Sequence, residues 1–394
     1  MKETPRTGIG SAVRDSELRE KGSDPDPVHR ATYRSFGPIE GKGGANISGP
    51  YEPVIGWPRP LHPGEWRTGS GRGVIAVSPD RIIASYGGEI AHYEDGSVWG
   101  VDTFRDLRFT EVNARKLAKH RHCHEIVVFD GEGALVDSWD RWLDAIHEND
   151  VRDGKQPKSG HINRIRVNRY DPEGHVWVVG MANTGIFKFT ADGKTLVQKI
   201  DATNVPARLH PYVYAQDIAF MPNGDLIAAH LHHLMRFNKD GEFISAIGGQ
   251  GRGPAEFDGV HDVQVHPKTL DLYVNDRVNN RIQIIDQDGH FKDEWPSMHG
   301  VYSIRFTADG QHLWAGNGFV NKFFKYDLGG RLVREATWGT FGIAPGAIWC
   351  PHGFDTDSDG NLYVAEDYSG RIQKLRPLPD ADPHDPQLIG PLCV

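Results

Sequence analysis

Six times along this chain a tight polar turn runs straight into an apolar triplet: EDGSVWGV, PEGHVWVV, PNGDLIAA, KTLDLYVN, ADGQHLWA and SDGNLYVA. A second turn recurs later in the unit as FDGEG, FTADG, FNKDG, IDQDG and YDLGG, closing at Gly133, Gly193, Gly241, Gly289 and Gly330. Between the turns lie alternating segments such as VHDVQV, RIQIID and HFKDEW. Alternation with a period of two marks half-buried strands, and Asp-Gly or Asn-Gly turns join such strands into antiparallel hairpins. Units of about 40–60 residues, each a small antiparallel sheet that cannot bury its faces alone, stack radially around an axis. The expected fold class is all-β, a six-bladed β-propeller spanning 67–394.

Residues 1–66 carry proline, glycine and charge with little periodicity, and are expected to form an N-terminal arm or wrapping segment. Two stretches have helical spacing, TEVNARKLAKH (Thr110 to His120) and SWDRWLDAIHEND (Ser138 to Asp150). They are expected to be short helices inserted in loops on one face. The run GQGRGP (Gly249 to Pro254) joins two strands rather than a strand to a helix, which argues against a phosphate-binding loop.

Composition removes several function classes. The net charge is −9, with Lys and Arg scattered along the chain, so neither nucleic acid nor an anionic membrane is an expected partner. No apolar run is long enough to span a bilayer, and Met1 to Pro27 lacks the apolar core of a signal peptide. Cys123, Cys350 and Cys393 are an odd set without a CxxC pair, which fits a reducing, cytoplasmic setting and a buried structural role for Cys350.

Of the 20 histidines, a few are placed with a pattern. The first strand of each propeller blade lines the central channel, and its N-terminal residues gather at one mouth. Two residues before the first buried apolar residue of that strand stand Gln216, His261, Tyr302 and His352 in units three to six. In unit two the strand HINRIRV is longer, and His161 keeps the parity of Asn163, Ile165 and Val167. His161, His261 and His352 would then sit on alternate blades. Three imidazoles so placed can meet one metal and leave a position open. Zinc is the first candidate among divalent transition metals. The plain alternative for each histidine is a hydrogen-bonding cap at a strand start. His230, in AHLHHLMRF, occupies the place of Asp276 and Glu366 in their own units. His120, His122 and His124 (HRHCH) lack a carboxylate or paired cysteine and are read as no metal tract.

These residues resemble a known family. The strands Arg281-Ile282-Gln283 and Arg371-Ile372-Gln373 are similar to those of NHL-repeat propellers. The chain looks like the catalytic core of peptidyl-α-hydroxyglycine α-amidating lyase, in IAHYEDGSVWGVDTF, GHINRIRV, VHDVQV with LYVNDRVNNRIQIID, and CPHGFDTDSDGNLYVAEDYSGRIQKL. The resemblance implies a zinc at the channel mouth held by three histidines on alternate blades. Here they would be His161, His261 and His352, with Arg277 at the binding mouth. Tyr93 stands where that family has a substrate-contacting arginine, and His230 to Leu234 where it has a catalytic tyrosine. Gly353 follows His352 in place of an aspartate, which removes a carboxylate that would help hold a structural calcium. The family is secretory, a context this sequence does not share.

The expected activity is a metal-dependent lyase, or a hydratase or hydrolase, acting on a small oxygenated substrate at the channel mouth. Tyr302, His230, Glu366, Asp262 and Tyr93 are the candidate acid–base groups, and Arg277 is a candidate clamp for a carboxylate. Two readings stand beside it. One is a calcium-dependent lactonase using Glu366, Asp276 and Asn317, and the other is a non-catalytic NHL binding module.

Overall fold

The computed structural model describes residues 47–61, 66–91, 120–148, 162–180, 185–209 and 215–393 of the 394-residue chain. Blade 1 consists of Gly71–Ser78, Arg81–Tyr86, Ile126–Phe129 and Leu135–Ser138; blade 2 of Ile162–Val167, Val176–Gly180, Gly185–Phe189 and Leu196–Ile200. Blade 3 is Ala215–Phe220, Leu226–His230, His233–Phe237 and Phe243–Gly248; blade 4 is Val260–Val265, Leu272–Asp276, Arg281–Ile285 and Phe291–Pro296. Blade 5 has Val301–Phe306, His312–Asn317 and Lys322–Asp327, with Trp338 and Leu332 bridging its outer edge. Blade 6 has Pro351–Thr356, Leu362–Glu366 and Ile372–Pro377. Each first strand touches the first strands of both neighbouring blades, and those of blades 6 and 1 touch each other, so the ring is closed.

The outer strand of blade 6 comes from the other end of the chain. Tyr51–Pro53 pairs with Leu375–Pro377, so the propeller takes in residues assigned by sequence to the 1–66 arm. Pairing the two chain ends in one sheet removes the free edges that an open ring would leave. Met1–Asn46 is a separate unit and lies outside the described residues.

The cores lie between blades. Val179 and Ile186 of blade 2 pack on Ile218, Ala228 and Met235 of blade 3, and Trp314 and Phe323 of blade 5 pack on Phe354 and Val364 of blade 6. Each such ring removed from water contributes about 2–3 kcal/mol. The glycine turns serve this packing. Gly193 has a φ of +69° and a Cβ there would lie 2.1 Å from the Trp139 ring; Gly330 (φ +74°) bears on Trp295 in the same way. Only glycine satisfies both the left-handed backbone and the close approach.

The recurring Arg-Ile-Gln strands are staples for the loops between blades. Arg281 donates to the carbonyls of Arg252, Gly253 and Glu256, and Gln283 to that of Glu256. Arg371 and Gln373 do the same for 342–347. The GQGRGP run is therefore an inter-blade loop.

Blade 1 uses the turn before Arg81–Tyr86 as its first hairpin, a turn the repeat pattern does not pick out. EDGSVWGV lies outside the described residues, and blade 1 is complete without it. Of Thr110 to His120 only His120 is described, and it is a strand residue paired with Ile90 in a small sheet with Trp66–Thr68. The second expected helix is present but short, a 3-10 turn at Asp140–Trp142 leading into the helix Leu143–His147. Both insertions leave from the channel-mouth face, because second strands end there and first and third strands begin there.

Candidate active site

All six first strands slip register by one residue at the mouth. Each slip is a β-bulge, which leaves one residue outside the ladder and re-aims its side chain. The residues so placed are Arg72, Asn163, Gln216, His261, Tyr302 and His352. Sequence reasoning finds four of them correctly. In blade 2 the equivalent of His261 and His352 is Asn163, because Ile162 pairs Gly180 and Arg164 pairs Val179, as Val260 pairs Asp276 and Asp262 pairs Asn275. His161 itself lies outside the described residues.

His261, His352 and Tyr302 form one cluster. The two imidazole centroids are 5.1 Å apart, and Tyr302 is 5.1 Å from His261 and 5.5 Å from His352. Nδ1–H of His261 donates to the Tyr302 carbonyl (2.7 Å), and Nδ1 of His352 lies against both the Arg72 carbonyl (2.8 Å) and the Arg164 guanidinium. The lone pair of His261 is thereby left on Nε2; that of His352 is on Nε2 in the tautomer that donates to Arg72. Nε2 of His352 is buried without a hydrogen-bond partner among the described residues. Burial first, then nearby arginines, hold both imidazoles far below their ordinary pKa, so both are neutral. Backbone-fixed tautomers of this kind are how proteins orient metal-ligating histidines.

One layer below lies a buried charge network that the sequence reading missed. Arg164, fully buried, sets its guanidinium against Nδ1 of both His352 and His261 and donates to the Tyr302 carbonyl (2.8 Å). Burial draws it down to about 10. Arg166 pairs with Asp217 and lies 3.7 Å from Asp262, while Arg164 Nε is 3.8 Å from Asp217. Arg305 pairs with Asp355 (3.1 Å). The signal was present as charged residues at channel-facing positions of INRIRV, AQDIAF, VYSIRF and PHGFDT. Asp262, a candidate acid–base group, belongs to this network. It accepts from the Ile304 amide (3.0 Å) and Gln264 (3.0 Å), and burial beside Asp217 pushes its carboxyl up to about 7.

Above the cluster, the Arg277 guanidinium sits 4.9 Å from the Tyr302 ring centroid. The Tyr302 hydroxyl is 3.3 Å from that of Tyr368, and burial raises the Tyr302 phenol well above its ordinary pKa. Cys350 is fully buried beside Tyr302, its thiol pushed up by burial, as a structural thiol would be. The turns around the mouth expose Val278, Phe319, Val320, Phe341 and Ile343. Phe319 contacts the Tyr302 ring and Phe341 the Trp349 ring, so this apolar rim is continuous with the site.

Other candidates are placed elsewhere. Glu366, buried at the end of the second strand of blade 6, receives Arg371 and Ser369 (2.6 Å) on one oxygen and Gln373 and Arg371 on the other. Both of its oxygens accept hydrogen bonds from Ser369 and the RIQ staple, so it is not a free base at the mouth. Asp276 accepts from Arg281 and Asn279 in the same way, and Asn317 caps its own turn. The calcium-lactonase set is thus used for structure. Tyr93 lies outside the described residues. HRHCH does have carboxylates beside it, since Glu125 and Glu89 meet it in space.

His230 occupies the same register position as Asp276 and Glu366. It is buried, and burial followed by the neighbouring His233 pulls it down to about 3. Between its ordinary value of 6.5 and about 3 the unfolded chain holds a proton that the folded chain does not. Stability contributed by the neutral ring is therefore lost as pH falls through that window. His230→Leu is expected to remove up to about 2–3 kcal/mol of the difference in unfolding free energy between pH 7.5 and pH 4.5. Equal acid sensitivity of the two proteins in urea titrations would show that His230 is not the group responsible.

A family model described as a 6-bladed beta-propeller matches residues 228–327, from blade 3 through blade 5. NHL repeat-containing protein 3 of Mus musculus is 25% identical over 275 residues, 64% of this chain and 73% of that protein. The chain is a six-bladed β-propeller with NHL-repeat homologues. The Homo sapiens NHL repeat-containing protein 3 is 30% identical over 158 residues, 37% of this propeller chain and 44% of that protein. Peptidyl-alpha-hydroxyglycine alpha-amidating lyase 1 of Drosophila melanogaster is a distant relative, 26% identical over 236 residues, 52% of this chain and 43% of that protein. The chain thus spans less than half the length of the human relative and of the fly lyase. Among the described residues no helix is long and apolar enough to cross a membrane.

Proposed function

We propose that the channel mouth is the site of a metal-dependent lyase acting on a small oxygenated substrate with a carboxylate and an apolar tail. The observation that carries this reading is the pair of neutral imidazoles, 5.1 Å apart, whose Nδ1 atoms are turned onto backbone carbonyls. The donor set suits a divalent transition metal, zinc first, through Nε2 of His261 and His352. Asn163 offers the third position by register, with an Oδ1 that is buried and has no hydrogen-bond partner among the described residues; His161 is the alternative. When bound, such an ion polarises a substrate oxygen and eases loss of a proton from a hydroxyl.

The protein's own groups account for the rest. Arg277, half-buried over Tyr302, can grip a carboxylate bidentately. Its position between the apolar rim and the imidazoles orients the substrate tail outward and its oxygenated end inward. The Tyr302 hydroxyl, protonated and hydrogen-bonded to Tyr368, can deliver a proton to the departing atom. Distant kinship with an amidating lyase supports the cleavage of an N–C bond at a hydroxylated carbon, and hydration or hydrolysis is the runner-up with the same groups.

The test uses an N-acyl-α-hydroxyglycine with a long acyl group, followed by glyoxylate release. Chelator-treated protein is expected to be inactive and to recover with zinc or cobalt. Arg277→Leu is expected to raise KM by about 10–100-fold with a smaller change in kcat, the mark of a lost binding contact. Unchanged KM in that variant would remove Arg277 from the site, and turnover insensitive to chelation would remove the metal.

A further inference from the structure

A second side-chain cluster lies on the same face of the propeller, where the two insertions around blade 1 meet. His122 and Glu125 end the long connection between the second and third strands of blade 1, and His147 lies in the helix Leu143–His147 that follows its fourth strand. Glu125 is fully buried. One of its oxygens is 2.5 Å from His122 Nδ1 and the other 2.8 Å from His147 Nε2, and the two imidazole centroids are 4.7 Å apart. All three ligand atoms lie within 4.8 Å of one another.

The charge of Glu125 sets the problem. A carboxylate with no exposure is expensive unless a cation faces it. Among the described residues its ion pairs are with the two imidazoles alone, and no lysine or arginine is paired with it. Two imidazole nitrogens and a carboxylate, drawn from separate segments, are a ligand set for a divalent transition metal, with positions left for water or substrate. Between these ligands in sequence, Cys123 and His124 turn toward Asp140 and Glu89 instead. The left-handed backbone at His124 (φ 53°) turns the segment there, so that His122 and Glu125 share one side and Cys123 and His124 the other.

We infer that His122, Glu125 and His147 form a second divalent-metal site, separate from the channel, that ties the two insertions together. Zinc is its expected occupant. The ion would replace a proton as the partner of Glu125 and clamp the end of the long connection onto the short helix. The inference does not depend on the channel reading, since no residue is shared.

The experiment starts from the full-length His261→Ala/His352→Ala protein, which lacks the channel imidazoles. It is stripped with a chelator, dialysed and titrated with Co²⁺ and with Zn²⁺. It is expected to bind one equivalent, with visible cobalt bands of a nitrogen–oxygen site and no strong thiolate-to-cobalt charge-transfer band. Adding His122→Ala, a partly exposed position, is expected to weaken binding at least about a hundredfold, as loss of a direct ligand should exceed the 10–100-fold effect of second-shell changes. Far-UV circular dichroism checks that this variant folds. Failure of the double variant to bind either metal at micromolar concentration would overturn the site. So would undiminished binding in the triple variant, or a strong thiolate band, which would place the ion on Cys123. If His122→Ala fails to fold, the cobalt spectrum of the double variant still decides between these outcomes.

Discussion

Turnover by the His352→Ala protein is expected to fall at least about a thousandfold, equivalent to ~4 kcal/mol of transition-state stabilisation. The bound metal should fall by one equivalent per chain. His352 has no exposed surface, and its Nε2 has no hydrogen-bond partner among the described residues. Alanine there removes a proposed ligand and takes the imidazole away from the Arg72 carbonyl. His261→Ala should behave similarly, and the double variant should be no worse than either single one, because ligands of one ion act as a unit. Elemental analysis and the glyoxylate assay check both halves. A His261→Ala/His352→Ala protein that turned over at the wild-type rate would sink the channel as an active site.

The second large effect is on stability. Asp217→Ala is expected to cost about 3–5 kcal/mol, since it strands the guanidinium of Arg166 and weakens the field around Arg164 in a fully buried layer. That is a large part of the 5–15 kcal/mol a domain usually has. Asp217→Asn should cost less, because it keeps a hydrogen-bonding group against Arg166. It should also let the Asp262 carboxyl fall from about 7, as its like-charged neighbour is gone. The sign follows from linkage. Between the ordinary carboxylate range and about 7 the folded wild type holds a proton on Asp262 that the unfolded chain has lost. Wild-type stability therefore drops as pH rises through that window, and Asp217→Asn should flatten the slope. Urea unfolding at pH 5 and pH 7.5 measures both effects. A wild-type midpoint for Asp217→Ala would mean the layer is not a coupled charge unit.

Much of the architecture was legible because it is written in local periodicity. The polar turns before apolar triplets located blades 2 to 6, and the phase of alternation put His261, Tyr302 and His352 at the channel mouth. Blade 1 was harder. Its hairpin turns on Pro79 and Asp80 without a glycine, while a more typical turn motif lies further on in EDGSVWGV. In blade 2 the same phase argument points to His161, which lies outside the described residues, while the register puts Asn163 in the place of His261 and His352. A bulge adds one residue to one strand only, and no composition marks where it falls; it is set by pairing with Val179 and Gly180 on the partner strand.

The sequence by itself determined a radial array of antiparallel sheets and which residues begin the channel strands, since both depend on contacts between near neighbours in the chain. The tertiary structure alone decided the ligand partners and the charges. Arg164 reaches His352 across 188 positions of sequence, Tyr51–Pro53 closes blade 6 from the opposite end of the chain, and Glu366 is spent on Arg371 and Gln373 rather than on substrate. Ring closure brings such groups together, and burial then sets their protonation. Both are properties of the assembled ring, which is why the 20 histidines reduce in the channel to two described imidazoles and in blade 1 to a pair that the linear pattern did not connect to Glu125.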